Sequence, residues 1–167
     1  TTVSPNYMEE LNYGANGLED LLRYESGKCV GILNGIDAEL WNPATDDSLI
    51  KNYSIKTVAT GKKANKAWLC KEFNLNPKLP LFAFIGRLVG EKGADLLPDI
   101  FHNALVHKNV SIFMLGSGDV AMEYQLEKLK YQFEGYYHAY IGYNERLAHI
   151  VYAAADFLLM PSRVEPC

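Results

Sequence analysis

Residues 81–118 read LFAFIGRLVGEKGADLLPDIFHNALVHKNVSIFMLGSG. An apolar run of strand length, PLFAFIG from Pro80 to Gly86, leads into a basic turn with glycines. ADLLPDIFHNALVH then places apolar residues at helical spacing, and VSIFML is a second apolar run that ends in glycine. Two such runs joined through an amphipathic helix describe a strand–helix–strand crossover, which sets its strands parallel. Pro98 sits early in the helix, where a missing N–H costs least.

The alternation continues with helix VAMEYQLEKLKYQF, strand HAYIGY, helix ERLAHIVYAAA and strand FLLMP. Met122, Leu126, Leu129 and Phe133 form a helical stripe, while the strands are nearly all apolar. Strands of that kind are buried on both faces, as in a parallel sheet covered by helices. The predicted fold class is α/β: a Rossmann-like parallel sheet with helices on both faces.

The N-terminal third is less regular. In SPNYMEEL, Ser4 is a candidate N-cap and Pro5 occupies the first helical position. GLEDLLRY puts Leu18, Leu21 and Leu22 on one helical face, and KCVGILNGID reads as a strand broken by glycine. WNPATDDSLIKNYS has no periodicity and reads as a loop joining two domains. KKANKAWLCKEF follows as a helix, with Ala64, Ala67, Trp68 and Phe73 as its apolar positions, and the prolines of NLNPKLP stop it.

With 167 residues and 49% hydrophobic content, the chain can bury a sizeable core. A net charge of -4 argues against the broad basic surface of a nucleic-acid-binding protein. Cys29, Cys70 and Cys167 contain no C-x-x-C pair, so neither a disulfide framework nor a zinc ribbon is suggested, and a reducing compartment fits. No apolar run has the length of a membrane span. Both ends read as cut from a longer protein.

In an open parallel sheet, ligands bind beyond the carboxyl ends of the strands. GRLVGEKG, LGSGD, IGYNE and PSRVEPC all fall there. Arg87 and Lys92, in R-x4-K spacing, suit a diphosphate, with a forked donor and a point charge beside glycine amides and a following helix dipole. The alternative is a solvated turn carrying two ordinary surface cations. LGSGDVA matches G-x-G-x-x-A, but HAYIGY lacks the carboxylate that a dinucleotide site expects at the end of the next strand. Gly116 and Gly118 therefore belong either to a plain tight turn or to a nucleotide-sugar contact. Tyr143 could stack on a nucleobase or be an ordinary loop tyrosine. Glu165 could grip sugar hydroxyls or support charge at an anomeric carbon, or pair with Arg163 at the surface. His102, His107 and His149 lie in helical segments, His138 opens a strand, and they show no metal-ligand spacing. P-loop, G-x-S-x-G and H-E-x-x-H motifs are absent.

Taken together, TTVSPNYMEEL, GILNGIDAELWNPATD, PLFAFIGRLVGEKGADLL, LGSGD, IGYNE and ADFLLMPSRVEPC strongly resemble the bacterial and plant glycogen/starch synthases. Those are retaining glycosyltransferases of the two-domain GT-B fold that move glucose from ADP-glucose to the non-reducing end of an α-1,4-glucan. The resemblance implies that residues 1–42 are the tail of the N-terminal, acceptor-side domain. Residues 43–60 would be the interdomain linker, and 61–167 the first part of the C-terminal donor-binding domain. It places the diphosphate-binding pair on Arg87 and Lys92, the E-P-C glutamate beside the donor glucose on Glu165, and the aromatic near adenine on Tyr143. It also places the donor-facing turn on Gly116 and Gly118 and a cleft residue on Asn34.

The implied partners are ADP-glucose or ADP and a glucan acceptor, with no metal or other cofactor, no nucleic acid and no membrane. The implied location is the cytoplasm, or the plastid in a plant. The K-x-G-G-L glycine loop and the glycine and helix after E-P-C are missing, so this chain alone is expected to be inactive. Another GT-B sugar transferase, or a non-catalytic nucleotide- or glucan-binding module, is the competing reading.

Overall fold

A computed structural model describes residues 1–167, which divide into two compact units: 1–37 with 164–167, and 38–163. No helix is long and apolar enough to cross a membrane.

The smaller unit holds α1 (Pro5–Glu10) and α2 (Glu19–Tyr24). Ser4 caps α1 as expected, its Oγ accepting the Tyr7 N–H at 3.0 Å, and Pro5 stands in the first turn. Helix α2 forms where GLEDLLRY predicts it, but Leu18 and Leu21 are each 56% exposed and the helix buries no residue. The strand expected in KCVGILNGID does not form; Gly31 makes a single parallel bridge to Thr2. Apolar content suits a strand, but a strand needs a ladder of partners, and Val30, Ile32, Leu33 and Ile36 are exposed. Gly31 is required where it stands, since a Cβ there would lie 2.1 Å from the Ser4 carbonyl oxygen.

In the larger unit a turn-rich segment leads into α3 (Val58–Glu72), followed by β1 (Leu81–Ile85), α4 (Leu97–Leu105) and β2 (Ser111–Gly116). Helix α5 (Val120–Gln132), β3 (Tyr137–Ile141), α6 (Glu145–Ala154) and β4 (Phe157–Leu158) complete it. The sheet is fully parallel in the order β3-β2-β1-β4. Strands β2 and β1 are its inner pair, and every residue of β2 is buried. Because side chains alternate along a strand, Ile112 and Met114 enter one core with Leu97, Phe101, Leu105, Leu126 and Leu129 of α4 and α5. Phe113 and Leu115 enter a second core with Leu69 of α3 and Leu147, Ile150, Val151 and Ala154 of α6. Helices thus cover both faces, as the strand pattern implied.

Some elements differ from expectation for identifiable reasons. Helix α3 begins at Val58, and its buried positions are Gly61, Asn65, Leu69 and Cys70, while Ala67 is exposed. The buried face was hidden because it carries a polar residue. Asn65 is fully buried and satisfied, accepting from Ile50 N and donating to the Lys51 and Gly61 carbonyls. Strand β4 is two residues long, and Phe157 and Leu158 are 53% and 47% exposed, because an edge strand is paired on one side only. The α-helix after β1 starts at Leu97, preceded by 3₁₀ turns over Gly90–Lys92 and Ala94–Leu96. Lys92 therefore lies outside the α-helix, and the dipole expected beside it acts from farther along the chain.

Candidate functional site

The turns that leave β1, β2 and β3 are stitched together by their backbones. Gly86 N donates to Leu115 O at 3.1 Å, Leu88 N to Ser117 O at 2.9 Å, Asp119 N to Leu88 O at 2.9 Å, and Gly142 N to Gly116 O at 2.9 Å. Glycine permits this approach: a Cβ at Gly116 would lie 2.1 Å from Gly86 O, and one at Gly118 would lie 2.4 Å from Leu88 O. The G-x-G spacing thus has a packing cause in addition to any ligand role.

Between these turns and the first turn of α6 opens a cleft of about 230 Å³, lined by Ile85, Gly86, Arg87, Gly116, Tyr143 and Ala148 among others. It sits at the carboxyl ends of the strands, where a doubly wound sheet receives its ligand. The Arg87 side chain is 70% exposed, with Nη2 3.7 Å from Glu91 Oε2. Tyr143 follows Gly142, which adopts a φ of 138°, and it is 83% exposed at the cleft. Asn144 caps α6, its Oδ1 accepting the Leu147 N–H at 2.9 Å.

Other sequence-predicted positions lie around this cleft or outside the unit. Lys92 ends the 3₁₀ turn, is partly buried, and is not among the lining residues. Gly118 is also outside the lining; its N–H donates to Glu123 Oε1 at 2.8 Å. Asp119 caps α5 through the N–H groups of Ala121 and Met122, so a carboxylate already occupies that helix start. Asn34 and Glu165 belong to the smaller unit, where both are exposed.

The histidines are scattered, and no group of three or more His, Cys, Asp or Glu residues is arranged to hold a metal ion. His107 falls just past the end of α4, outside the helix that the sequence assigned to it. His138 sits on β3, where burial, assisted by Lys130, lowers its pKa. Burial raises the Cys70 thiol to about 11, which keeps it an inert core residue.

Sequence reasoning missed two relationships. Arg163 forms a fork with Asp95, at 2.6 and 2.7 Å. His149 is buried against Asp46 and Trp41. Both join residues far apart in the chain, and no local spacing announces either.

The sequence profile described as "Glycosyl transferases group 1" matches residues 51–167. Along its whole length the chain is 53% identical to a glycogen synthase of Flavobacterium johnsoniae, covering 36% of that protein. It is 47% identical over 99% of its length to a glycogen synthase of Lacticaseibacillus casei, covering 35% of it. The chain thus spans about a third of the length of the relatives it matches. The catalytic domain of starch synthase IV from Arabidopsis thaliana, solved with ADP and acarbose, superposes with a TM-score of 0.91 at 37% identity. That match covers 99% of this chain and 35% of that one. The fold read from the strand pattern and the family read from the sequence blocks agree, and the chain belongs to the group 1 glycosyltransferases.

Proposed function

We propose that this chain is part of a glycogen/starch synthase that transfers glucose from ADP-glucose to the non-reducing end of an α-1,4-glucan with retention. Its strand-end cleft holds the donor nucleotide in this reading. The observation that carries it is the convergence of Arg87 and Tyr143 on one cleft at the carboxyl ends of β1 and β3. A cation beside an aromatic face is the pairing that a nucleoside diphosphate needs. In support, the starch synthase with the same fold is described as bound to ADP and acarbose.

In this reading Arg87 and Lys92 neutralise the departing ADP, electrostatic work that falls to side chains when no metal ion takes part. Tyr143 stacks on adenine. Gly116 lets the donor approach the backbone, and Gly118 keeps its turn close to the neighbouring one. Glu165 stabilises positive charge at the anomeric carbon, and Asn34 contributes from the acceptor side. Residues 1–42 then form the tail of the acceptor-side domain, 43–60 the linker and 61–167 the start of the donor domain.

The test is calorimetric titration of ADP into the full-length protein, combined with radiolabelled glucose transfer to glycogen. Lys92→Ala is expected to weaken ADP at least about tenfold, the size of one charge-assisted contact. Glu165→Gln is expected to cut kcat by about 10²–10³, as for other preorganised transition-state contacts. Unchanged ADP affinity in Lys92→Ala would remove the phosphate role. Turnover by residues 1–167 alone would remove the expectation that this segment cannot catalyse without the rest of the cleft.

A further inference from the structure

The turn that carries Lys92 is held from one side by a single residue. Arg163, on the loop that leaves β4, donates its backbone N–H to Glu91 O at 2.8 Å and its Nη1 to Gly90 O at 2.7 Å. The same guanidinium grips the Asp95 carboxylate in a fork, Nη1–Oδ1 2.6 Å and Nη2–Oδ2 2.7 Å. At the opposite edge of the turn, Gly93 adopts φ 66°, and a Cβ there would lie 2.3 Å from Pro161 O. Residues 90–95 are thereby clasped against residues 161–163 on both sides of Lys92.

A lone 3₁₀ turn has weak hydrogen bonds of its own, so its position is set by whatever holds it. The Arg163 and Asp95 side chains are 48% and 47% exposed, and an ion pair in that setting adds little to global stability. Its consequence is therefore geometric. A guanidinium can hold a carboxylate in two places while reaching a backbone carbonyl, whereas an ammonium cannot reproduce that planar fork.

We propose that Arg163 is a positioning residue that, with Asp95, locks the turn bearing Lys92 at the reach needed for the donor diphosphate. The inference rests on the donor-site reading above. It assigns Arg163 no direct contact with phosphate, because the forked Nη1/Nη2 edge that would hold an anion in two places already grips the Asp95 carboxylate.

The experiment uses the full-length protein and titrates ADP and AMP into the parent and into Lys92→Ala, Arg163→Ala, Arg163→Lys, Asp95→Ala and the Arg163→Ala/Lys92→Ala double variant. Melting temperature without ligand confirms folding. Arg163→Ala and Asp95→Ala are each expected to weaken ADP about tenfold while leaving AMP affinity nearly unchanged. Arg163→Lys should not rescue ADP binding, and in the Lys92→Ala background Arg163→Ala should cause no further loss.

Three results overturn the proposal while leaving the donor reading intact. One is loss of ADP affinity in Lys92→Ala but none in Arg163→Ala. Another is additive losses in the double variant. The third is retained or tighter ADP binding in Asp95→Ala alongside weakened binding in Arg163→Ala, which would make Arg163 a direct phosphate ligand. Unchanged ADP affinity in Lys92→Ala removes the phosphate role of Lys92, and this proposal with it.

Discussion

His149 Nδ1 lies 2.6 Å from Asp46 Oδ2, and the two side chains are only 2% and 8% exposed. The imidazole also stacks on Trp41, with ring centroids 3.7 Å apart. This pair fastens the segment between the family's W-N-P block and α3 onto α6. The apparent loop is therefore part of the packed layer on that face of the sheet. Removing either partner leaves the other buried without its hydrogen bond.

Asp46→Ala and His149→Ala are each expected to destabilise the protein by about 2–4 kcal/mol, the range for breaking a buried, hydrogen-bonded pair. The double variant should cost little more than either single one. Urea denaturation of the set measures both quantities, and additive losses would show that the pair is not coupled.

Acid stability should follow the same contact. Burial pushes the Asp46 carboxyl up, but hydrogen bonds from His149 and Ser48 together outweigh it and hold the group below its ordinary 3.8. Asp156 behaves alike: burial raises it, while the Lys66 ammonium and the Leu81 N–H lower it further. A depressed carboxylate contributes stability that is fully present above its unfolded pKa and is lost as pH falls through the folded one. Stability from these groups should thus hold down to roughly pH 4 and decline below it. Melting curves against pH are expected to show a shallower acid decline for Asp46→Ala than for the parent. An identical decline would sink the assignment.

Gly116→Ala tests the stitched turns. Its Cβ would meet Gly86 O, a backbone atom that cannot swing aside, so β1 and β2 must separate at their carboxyl ends. A loss of about 1–3 kcal/mol is expected from overpacking, with weakened ADP binding, because Gly116 also lines the cleft. Thermal melting and ADP titration on one sample read both effects.

Tyr143 offers the opposite separation. At 83% exposure it contributes little to the core, so Tyr143→Ala should leave the melting temperature near that of the parent. Loss of base stacking should weaken ADP by about 1–3 kcal/mol, while Tyr143→Phe should keep most of the affinity. Equal ADP binding by Tyr143→Ala would return this residue to an ordinary loop tyrosine.

Much of the architecture was legible because it rests on local chemistry. The apolar runs of β1, β2 and β3, the stripe of α5, and the cap Ser4 depend on residues within a turn or two of one another. Misreadings arose where burial did not follow the apolar pattern. Asn65 took a core position because partners 14 or 15 residues earlier satisfy it. The KCVGILNGID run lacked a ladder, and β4 at the sheet edge gained pairing on one side only. Arg87, Gly116 and Tyr143 were recognisable as strand-end residues because parallel topology sends every such turn to the same side of the sheet.

By itself, the sequence determined the alternation of strand and helix, the parallel sheet and the strand ends at which chemistry is placed. Each of these follows from periodicity and from the steric habits of glycine and proline. Only the tertiary structure decided that Gly116 and Gly118 are needed for backbone approach, that Arg163 grips Asp95, and that His149 meets Asp46 across 103 residues of chain. Those outcomes depend on which surfaces the fold brings together, and spacing along a chain carries no record of distance through space.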